Sequence, residues 1–348
     1  MLPHDWYNYR LTDRWCMEAG DASGIGLLDL PSRTLDPSML QLVSEACLSL
    51  YLALRHGLRL TSAWCAQDLP NKMPESLVDP NAPIGKLSAE MASTLGLSEE
   101  VIVAPGSGDN MCAAMGTGCV TPGKLTVSLG TSGTLFGFSD KAIRDPSGTI
   151  APFCDATGGW LPLLCTQNCT TVPQEVCLAS GLVRQHLRPR AQQRRYGTTN
   201  LISLSALCLQ QGHSVLTELA GQQNAGCDGC NFLPYLTGAR TPNWPHSSGA
   251  LLGLRPGMLQ NYGLMYRAAL EGTTFSLFAG MNRIKELGLT AEELIVVGGG
   301  AKNDLWCQII ADCFGLPVRQ PAETESAALG AALQAAAVHQ GRTCAGHV

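Results

Sequence analysis

Charged side chains are scarce in this chain of 348 residues, because Asp, Glu, Lys and Arg together make up only 15% of it. About a quarter is typical of globular proteins. The formal net charge is −5, so the small excess of charge is acidic. The composition therefore argues against an extended basic surface for nucleic acid or an anionic membrane. The 45% of apolar residues instead predicts a globular protein with a sizeable core.

Long apolar runs are also missing. The longest tract, residues 46–60, is interrupted by Arg55, His56 and Arg59, and it is too short to span a bilayer. Met1 is followed by LPHD rather than by a basic segment and an apolar core, which is not the pattern of a secretory signal. We therefore expect no membrane partner and a cytoplasmic location.

Cysteine, by contrast, is abundant, with 15 residues scattered through core-like stretches. Cys227 and Cys230 have the C-x-x-C spacing of a redox motif or a zinc knuckle. No second pair lies at ligand spacing, so metal binding is the weaker interpretation and we predict no metal site in the protein itself.

The densest chemical pattern is the stretch GSGDNMCAAMGTGCVTPGKLTVSLGTSGT, residues 106–134. Its first half is an apolar run entering a glycine loop that ends in a carboxylate, Asp109, and a small-residue helix is expected from Asn110 to about Gly118. Its second half predicts two apolar strands separated by a turn. That turn consists of Gly130, Thr131, Ser132 and Gly133.

A turn of this kind exposes backbone N–H groups and two hydroxyls with little side-chain bulk, which suits phosphate oxygens. A carboxylate beside it could take a proton from a substrate hydroxyl while the amides hold the transferred phosphoryl group. Either half alone is weak, because GTSG also occurs in ordinary hairpins. The two halves together, in this order and this close, favour kinase chemistry.

The pair resembles the middle of the FGGY carbohydrate kinases, and within that family most closely the xylulokinases. The resemblance continues through FLPYLTGARTPNWP, GALLGLRPG, YRAALEG and VVGGGAKNDLWCQIIADCFGLPV. It implies that Asp109 is the catalytic base and contacts the substrate, and that Asn110 helps to position the sugar. It also implies that Gly130, Thr131, Ser132 and Gly133 contact the phosphates of ATP.

A third chemical element lies near the end of the chain. Residues 294–297 predict a buried strand, residues 298–300 are a glycine turn, and a helix is expected to begin near Asn303. A dinucleotide fingerprint would need glycine at position 303, so a dehydrogenase is the poorer interpretation. The family resemblance implies that this segment holds the adenosine end of ATP. The residues concerned are Gly299, Gly300, Ala301 and Asn303.

The resemblance implies an α/β fold of the ribonuclease-H-like, actin-like ATPase type, with two domains around a cleft; the length also fits two domains. Residues 1–118 match the latter part of the N-terminal, sugar-binding domain, and residues 119–348 match the C-terminal, ATP-binding domain. The family's D-x-G-T phosphate loop has no counterpart ahead of Leu2. We therefore expect the first domain to be incomplete and this chain by itself to turn over barely above background.

Two segments, near residues 46–67 and 183–211, depart from the family pattern. The second carries five arginines in the fourteen residues VRQHLRPRAQQRRY. Such a run could bind RNA, but it lacks ordered aromatic partners in a chain that is otherwise acidic. The segments could be lineage-specific loops or translated sequence from an incorrect gene model, and in either case we expect them to be insertions that lie outside the packed cores.

Several local patterns make smaller predictions. Ser88 is expected to cap a helix with Leu95 and Leu97 on its buried side. Asp21 and Ser23, in DASGIGLLD, are expected to form a turn or helix cap rather than to act in catalysis.

A second group of predictions concerns two later helices. Residues 262–287 predict a core helix in which Arg267 and Glu271, four residues apart, pair. The last long helix has a small-residue face, residues 327–332, that allows close packing.

The implied reaction is the ATP-dependent phosphorylation of a ketopentose, D-xylulose to its 5-phosphate in the first instance, with Mg²⁺ bridging the phosphates. Two alternatives remain open: another FGGY kinase acting on ribulose, glycerol or a related polyol, and a catalytically dead, nucleotide-binding remnant. The expected partners are therefore a small sugar and ATP, with no nucleic acid, and a homodimer is left open.

Overall fold

A computed structural model describes residues 2–54, 69–181 and 198–348, without the side chains of residues 47–54 and 198–208. Within these ranges the α-helices are α1 Pro3–Thr12, α2 Ala19–Ala22, α3 Pro37–Leu54, α4 Leu69–Lys72, α5 Ala89–Leu95, α6 Asp109–Thr117, α7 Thr171–Ala179, α8 Thr198–Gly221, α9 Tyr262–Glu286, α10 Asp304–Phe314, α11 Ser326–Gln340 and α12 Cys344–His347. Short 3₁₀ helices are Ser23–Ile25, Cys227–Gly229, Met258–Gln260 and Gly299–Lys302.

The strands include the two predicted around the GTSG turn. In chain order they are β1 Leu28–Asp29, β2 Thr34–Leu35, β3 Gly85–Lys86, β4 Ile102–Val103, β5 Gly123–Leu129, β6 Gly133–Gly137, β7 Ala151–Cys154, β8 Trp160–Thr166, β9 Asn231–Leu233, β10 Ala250–Leu252, β11 Ala291–Val297 and β12 Val318–Arg319.

The main sheet has six strands in the order β12-β11-β5-β6-β8-β7. β12, β11 and β5 run parallel, and β5, β6, β8 and β7 are successively antiparallel. The parallel register pairs Val297 with Ser128, so β5 and β11 end at the same edge of the sheet. Loops that follow these two strands are thereby brought together.

The central strands are buried on both faces, as their nearly continuous apolar runs predict. In β11, Leu294 and Val296 pack into one core, while Ile295 and Val297 pack into the core on the opposite face. The first core lies under α7, α8, α9 and α10, and the second lies under α6, α11 and α12. Two layers of helices therefore hold the edge at which β5 and β11 end.

The crossing of α6 and α11 depends on glycine. A Cβ atom at Gly116 would lie 1.9 Å from the carbonyl oxygen of Ser326, and one at Gly330 would lie 1.8 Å from the carbonyl oxygen of Cys112. The two backbones are therefore in direct contact, which confirms the close packing predicted for the small-residue face of α11.

The predicted pair in α9 is confirmed. Arg267 Nε donates to Glu271 Oε1 at 2.7 Å, and both side chains are nearly buried. Glu271 Oε2 also accepts a hydrogen bond from the Gly226 N–H at 3.1 Å, next to Cys227. Burial raises the pKa of the Cys227 thiol to about 12, so this residue is a buried structural thiol at neutral pH.

The expected burial of Leu95 and Leu97 is wrong. Ser88 does cap α5, accepting from the Met91 N–H at 3.4 Å, but the two leucines are 50% and 52% exposed. The reason is that the core beneath α5 is small. The single buried residue of α5 is Ala92, which packs in this core between α1 and the β3–β4 pair. The last turn of the helix reaches beyond that core.

The two predicted insertions are described in part. α3 continues to Leu54, and residues 55–67 lie outside the described residues, as do residues 183–197. α8 takes up the end of the second segment, and there the expectation that the segment lies outside the packed cores is wrong, because Leu209 is partly buried against the main core. The domain boundary at residues 118 and 119 stays a prediction; α6, just before it, packs onto the sheet. None of the described helices combines the length and apolar character needed to cross a bilayer.

Candidate active site

Asp109 is the first residue of α6, where the partial positive charge of a helix N-terminus stabilises a carboxylate. The residue is exposed. Its Oδ1 accepts hydrogen bonds from the backbone N–H of Asn110 at 2.8 Å and from Asn110 Nδ2 at 3.0 Å. Among the described residues no hydrogen bond reaches Oδ2, so that oxygen is open to accept a proton.

Asn110 connects this carboxylate to the GTSG turn. Thr134 Oγ1 donates a hydrogen bond to Asn110 Oδ1 at 3.3 Å. Thr134 directly follows Gly133, the last residue of the turn. The two halves of the stretch recognised in the sequence therefore meet in the structure through one side-chain contact.

The GTSG turn is fixed from behind by the start of α7. The carbonyl oxygens of Gly130 and Thr131 accept hydrogen bonds from the N–H groups of Thr170 and Cys169, each at 3.0 Å. Thr131 and Ser132 are exposed on the other side. Two carbonyl oxygens of the turn are therefore occupied by the segment before α7, while the two hydroxyl-bearing residues stay exposed.

The glycine turn after β11 lies against the end of β5. Gly298 has φ 86° and ψ −179°, a backbone conformation that essentially only glycine adopts. A Cβ atom there would lie 2.8 Å from the Leu129 carbonyl oxygen, and one at Gly300 would lie 2.7 Å from Leu129 Cβ. Since Leu129 directly precedes Gly130, the two predicted nucleotide turns are neighbours at the carboxyl ends of parallel strands.

Asn303 has a local role that the sequence analysis missed. Its Oδ1 caps α10 by accepting from the Trp306 N–H at 3.1 Å, and its Nδ2 donates to Thr217 Oγ1 in α8 at 3.0 Å. Asn at the first position before a helix is a known capping signal, which could have revealed this role. A direct contact with adenosine stays a prediction.

A cavity of about 70 Å³ lies beside this turn. Ligand pockets usually measure about 300–1,000 Å³, so this cavity could hold only part of a nucleotide. Its lining residues come from the end of β11, the 3₁₀ turn and the segment before α11: Val296, Val297, Gly298, Ala301, Lys302, Gln320, Pro321 and Thr324.

The 106–109 loop is braced by side chains that the sequence analysis did not single out. Asn8 Nδ2 donates to the Pro105 carbonyl oxygen at 2.6 Å, and Gln334 Nε2 in α11 donates to that of Gly106 at 3.4 Å. Ser107 Oγ donates to Glu18 Oε1 at 2.9 Å. No local motif predicts these contacts, because each joins residues at least 89 positions apart.

Glu18, not Asp21, is the cap of α2, and its carboxylate accepts from the N–H groups of Gly20 at 2.7 Å and Asp21 at 2.5 Å. Its burial raises the pKa of Glu18 to about 7, although those hydrogen bonds favour the ionised form. The turn expected at Ser23 is present, with its Oγ donating to the Gly20 carbonyl oxygen at 2.6 Å.

The described residues contain no group of three or more His, Cys, Asp or Glu side chains that could hold a metal ion. Mg²⁺ commonly binds through substrate phosphates with only one or two carboxylates.

Glycine turns that follow neighbouring parallel strands at one edge of a sheet are found in nucleotide-binding α/β proteins. Residues 125–339 match the model of the C-terminal domain of the FGGY family of carbohydrate kinases. The chain belongs to this family.

Individual relatives agree with the family. A xylulose kinase of Haemophilus influenzae is 33% identical over 335 residues, which is 96% of this chain and 58% of that protein's length. The solved structure of a xyloylose kinase from Brucella ovis has a TM-score of 0.78 at 26% identity, covering 99% of this chain and 61% of the other. That of a xylulose kinase from Bifidobacterium adolescentis has a TM-score of 0.71 at 26% identity, covering 99% and 62%.

These similarities confirm the predicted fold class, the α/β ribonuclease-H-like, actin-like ATPase architecture. They also confirm the predicted family. The chain spans about three fifths of the length of these relatives. The roles given to Asp109, Asn110 and the two turns stay predictions.

Proposed function

We propose that the protein transfers the γ-phosphoryl group of ATP to a hydroxyl of a ketopentose, converting D-xylulose to D-xylulose 5-phosphate. The observation that carries the proposal is the contact of Asn110 with Thr134, which places an exposed helix-terminal carboxylate beside the GTSG turn. The names of the similar proteins, which are xylulose kinases, support the choice of sugar.

In this reaction the sugar hydroxyl gives its proton to the carboxylate of Asp109 as its oxygen bonds to the γ-phosphorus. The bond between the γ-phosphorus and the bridging oxygen breaks, and ADP leaves with that oxygen. Asn110 orients the sugar. The backbone of Thr131, Ser132 and Gly133 holds the phosphates, which is the electrostatic part of the catalysis.

The adenosine end would lie against Gly299, Gly300 and Ala301, with Asn303 beside them. The tight packing of Gly298 and Gly300 on Leu129 supports this assignment, because it fixes the turn close to the phosphate site. When bound with ATP, Mg²⁺ would neutralise phosphate charge.

The test is a turnover assay with ATP and a panel of D-xylulose, D-ribulose, glycerol and D-gluconate, with product identified by mass. It is made on this chain, which we expect to turn over barely above background, and on a longer form that also carries the family's D-x-G-T phosphate loop. We expect kcat/KM to be highest for D-xylulose. A higher value for another member of the panel would replace xylulose by that substrate. ATP binding without turnover on any sugar would favour the nucleotide-binding remnant.

We also propose a cytoplasmic location and a homodimer. The described cysteines are free thiols and mostly buried, which suits a reducing compartment. Sedimentation of the purified protein would give its oligomeric state.

A further inference from the structure

Four titratable side chains lie directly behind the 106–109 loop. This group, the His4 cluster, consists of His4, Asp5, Glu18 and Asp21. His4 Nδ1 lies 2.6 Å from Asp21 Oδ2. On the other side of the ring, His4 Nε2 lies 3.5 Å from Asp5 Oδ1 and 4.0 Å from Glu18 Oε1. One imidazole therefore faces three carboxyl groups from α1 and α2.

The cluster contacts three successive residues of the loop. The His4 ring lies against Gly106, where a Cβ atom would come within 3.6 Å of its Cδ2. Ser107 Oγ donates to Glu18 at 2.9 Å, and a Cβ atom at Gly108 would lie 3.3 Å from Asp21 Oδ1. The next residue is Asp109, so the path of the loop into α6 is set by these contacts.

The charges of the cluster favour a protonated imidazole. Burial opposes the imidazolium, but the hydrogen bond to Asp21 and the negative charges of Glu18, Asp5 and Asp21 together raise the pKa of His4. Burial also raises the pKa of Asp5, although the Leu2 N–H lowers it in part. From α6, the titratable groups nearest the cluster are Asp109 and Cys112, and burial raises the pKa of the Cys112 thiol to about 12.

Two atoms of the cluster have no hydrogen-bond partner among the residues that the structure describes. His4 Nε2 and Asp5 Oδ1 are both buried and unpaired, and they face each other at 3.5 Å. A protonated Nε2 is a donor and Oδ1 is an acceptor, so the unmatched pair becomes matched when the ring is charged. The imidazolium then joins α1 to α2 across the base of the loop.

We propose that His4 is a positioning residue: as an imidazolium between Asp21 on one side and Asp5 and Glu18 on the other, it holds the 106–109 loop so that Asp109 meets the substrate hydroxyl. The catalytic half of this statement rests on the function proposed above. The positioning half concerns the loop alone and can be measured without any sugar.

The first experiment is amide hydrogen exchange of the 104–112 peptide in the wild type, His4→Gln and Asp21→Asn. We expect exchange to become roughly 10-fold faster in both variants, the effect of losing one charge-assisted hydrogen bond. His213→Gln is the matched control, because His213 is also partly buried but pairs with Tyr266 Oη at 2.8 Å, away from the loop. It should leave the 104–112 peptide unchanged.

The second experiment separates positioning from folding by kinetics. We expect His4→Gln to lower kcat roughly 10-fold or more while the KM for ATP stays within about two-fold, because the nucleotide turns are untouched. The wild-type kcat should fall as pH rises through the deprotonation of His4, and His4→Gln should lack that limb. The double variant with Asp21→Asn should lose no more than either single variant, because both break one pair.

The outcomes are distinct. Unchanged exchange of the 104–112 peptide in both variants would overturn the proposal, as would faster exchange with unchanged kcat in an active wild type. A wild type with no activity on any sugar, assayed in a form that also carries the family's D-x-G-T phosphate loop, would refute the proposed function, and the exchange data alone would then decide whether His4 holds the loop. If His4→Gln does not fold, Asp21→Asn and Ser107→Ala carry the same comparison.

Discussion

The two sides of the candidate site are held in place by different kinds of contact. The base side, around Asp109, is held by charged and polar side chains from α1, α2 and α11, three of them almost wholly buried: Asp5, Glu18 and Gln334. The nucleotide side is held by backbone: the GTSG turn by the N–H groups of Cys169 and Thr170 just before α7, and the glycine turn by direct contact with Leu129. We therefore expect the base side to be disturbed by substitutions that change charge, and the nucleotide side by substitutions that add side-chain volume.

The difference follows from what each side must do. A general base has to be presented at one oxygen of a substrate, so its loop needs directional contacts. Phosphate and adenosine can be held by N–H groups that every residue carries, provided that the backbone can approach closely. Substitutions that remove a charge but preserve shape should therefore damage the base side, and a methyl group added where two backbones touch, as at Gly298, should damage the nucleotide side.

The largest expected effect is the loss of the base itself. Asp109→Asn keeps the shape of the side chain, so ATP binding should stay within about two-fold. In a form of the protein that also carries the family's D-x-G-T phosphate loop, kcat should fall by roughly 10²–10⁴-fold, because the proton acceptor is lost and general-base catalysis contributes that factor. Turnover and calorimetric ATP binding measure the two sides separately.

Asp140→Asn is the matched control, since Asp140 is an exposed aspartate beyond the GTSG turn. It should behave as wild type. A near-normal kcat for Asp109→Asn would remove this carboxylate from the mechanism.

The next effect is the pH dependence of the base side. The pKa of Glu18 is raised from its usual 4.5 to about 7, so the folded protein keeps a proton there that the unfolded chain releases. The free energy of unfolding should therefore fall as pH rises from about 4.5 to about 7, by about 3 kcal/mol at about 1.4 kcal/mol per unit of pKa. Urea unfolding at about pH 5 and about pH 8 measures this.

Glu18→Gln should remove most of that fall, and Glu99→Gln, an exposed control, should not. His4 acts in the same direction, because its raised pKa contributes stability at low pH that is lost as pH rises through its folded value. A difference between the wild type and Glu18→Gln that does not change with pH would contradict the buried carboxyl.

The third prediction concerns a methyl group added to the backbone of the nucleotide side. Gly298→Ala forces a side chain into a backbone region of φ 86° that L-residues rarely adopt, 2.8 Å from the Leu129 carbonyl oxygen. We expect the free energy of unfolding to fall by about 1–3 kcal/mol and ATP affinity to fall with it. Thermal melting and ATP titration are the measurements.

Gly299→Ala offers the matched control for stability, because a Cβ atom at Gly299 would meet nothing within 4 Å. Its melting temperature should stay close to that of the wild type. Equal destabilisation by the two substitutions would show that the close contact of Gly298 with Leu129 is not what fixes the turn.

The same difference explains what could be predicted from the sequence. The nucleotide side is formed by two continuous stretches of sequence, each with a local pattern. One is a glycine turn between two apolar strands, and the other is a glycine turn between a strand and a helix. Both turns, their strands and the start of α10 were predicted where they lie. Their adjacency follows from two parallel strands that end at one edge.

The base side could be predicted only at Asp109. His4, Glu18 and Ser107 belong to three segments, and the contact of Ser107 with Glu18 spans 89 positions. No periodicity or motif reports such a contact, because it depends on how α1 and α2 pack against the loop. The prediction that Leu95 and Leu97 are buried was wrong for a related reason. An apolar residue in or beside a helix is buried only if a core lies beneath it, and the sequence near the helix does not show whether one does.

The smallest expected effect concerns Asn303, where the nucleotide side also uses a side chain. Asn303→Ala loses the cap of α10 and the bond to Thr217, and we expect a loss of about 1 kcal/mol in the free energy of unfolding. Asn303→Asp keeps the capping oxygen, adds a favourable charge at a helix N-terminus, and loses only the donor to Thr217. It should be more stable than the alanine variant. If the side chain also contacts adenosine through its amide, both variants should weaken ATP binding; if it acts only as a cap, ATP affinity should recover in Asn303→Asp together with stability. Recovery of ATP affinity in Asn303→Asp would show that the Asn303 side chain acts on the nucleotide only by fixing the backbone of the turn. A loss of affinity shared by both variants would show that this side chain binds ATP directly.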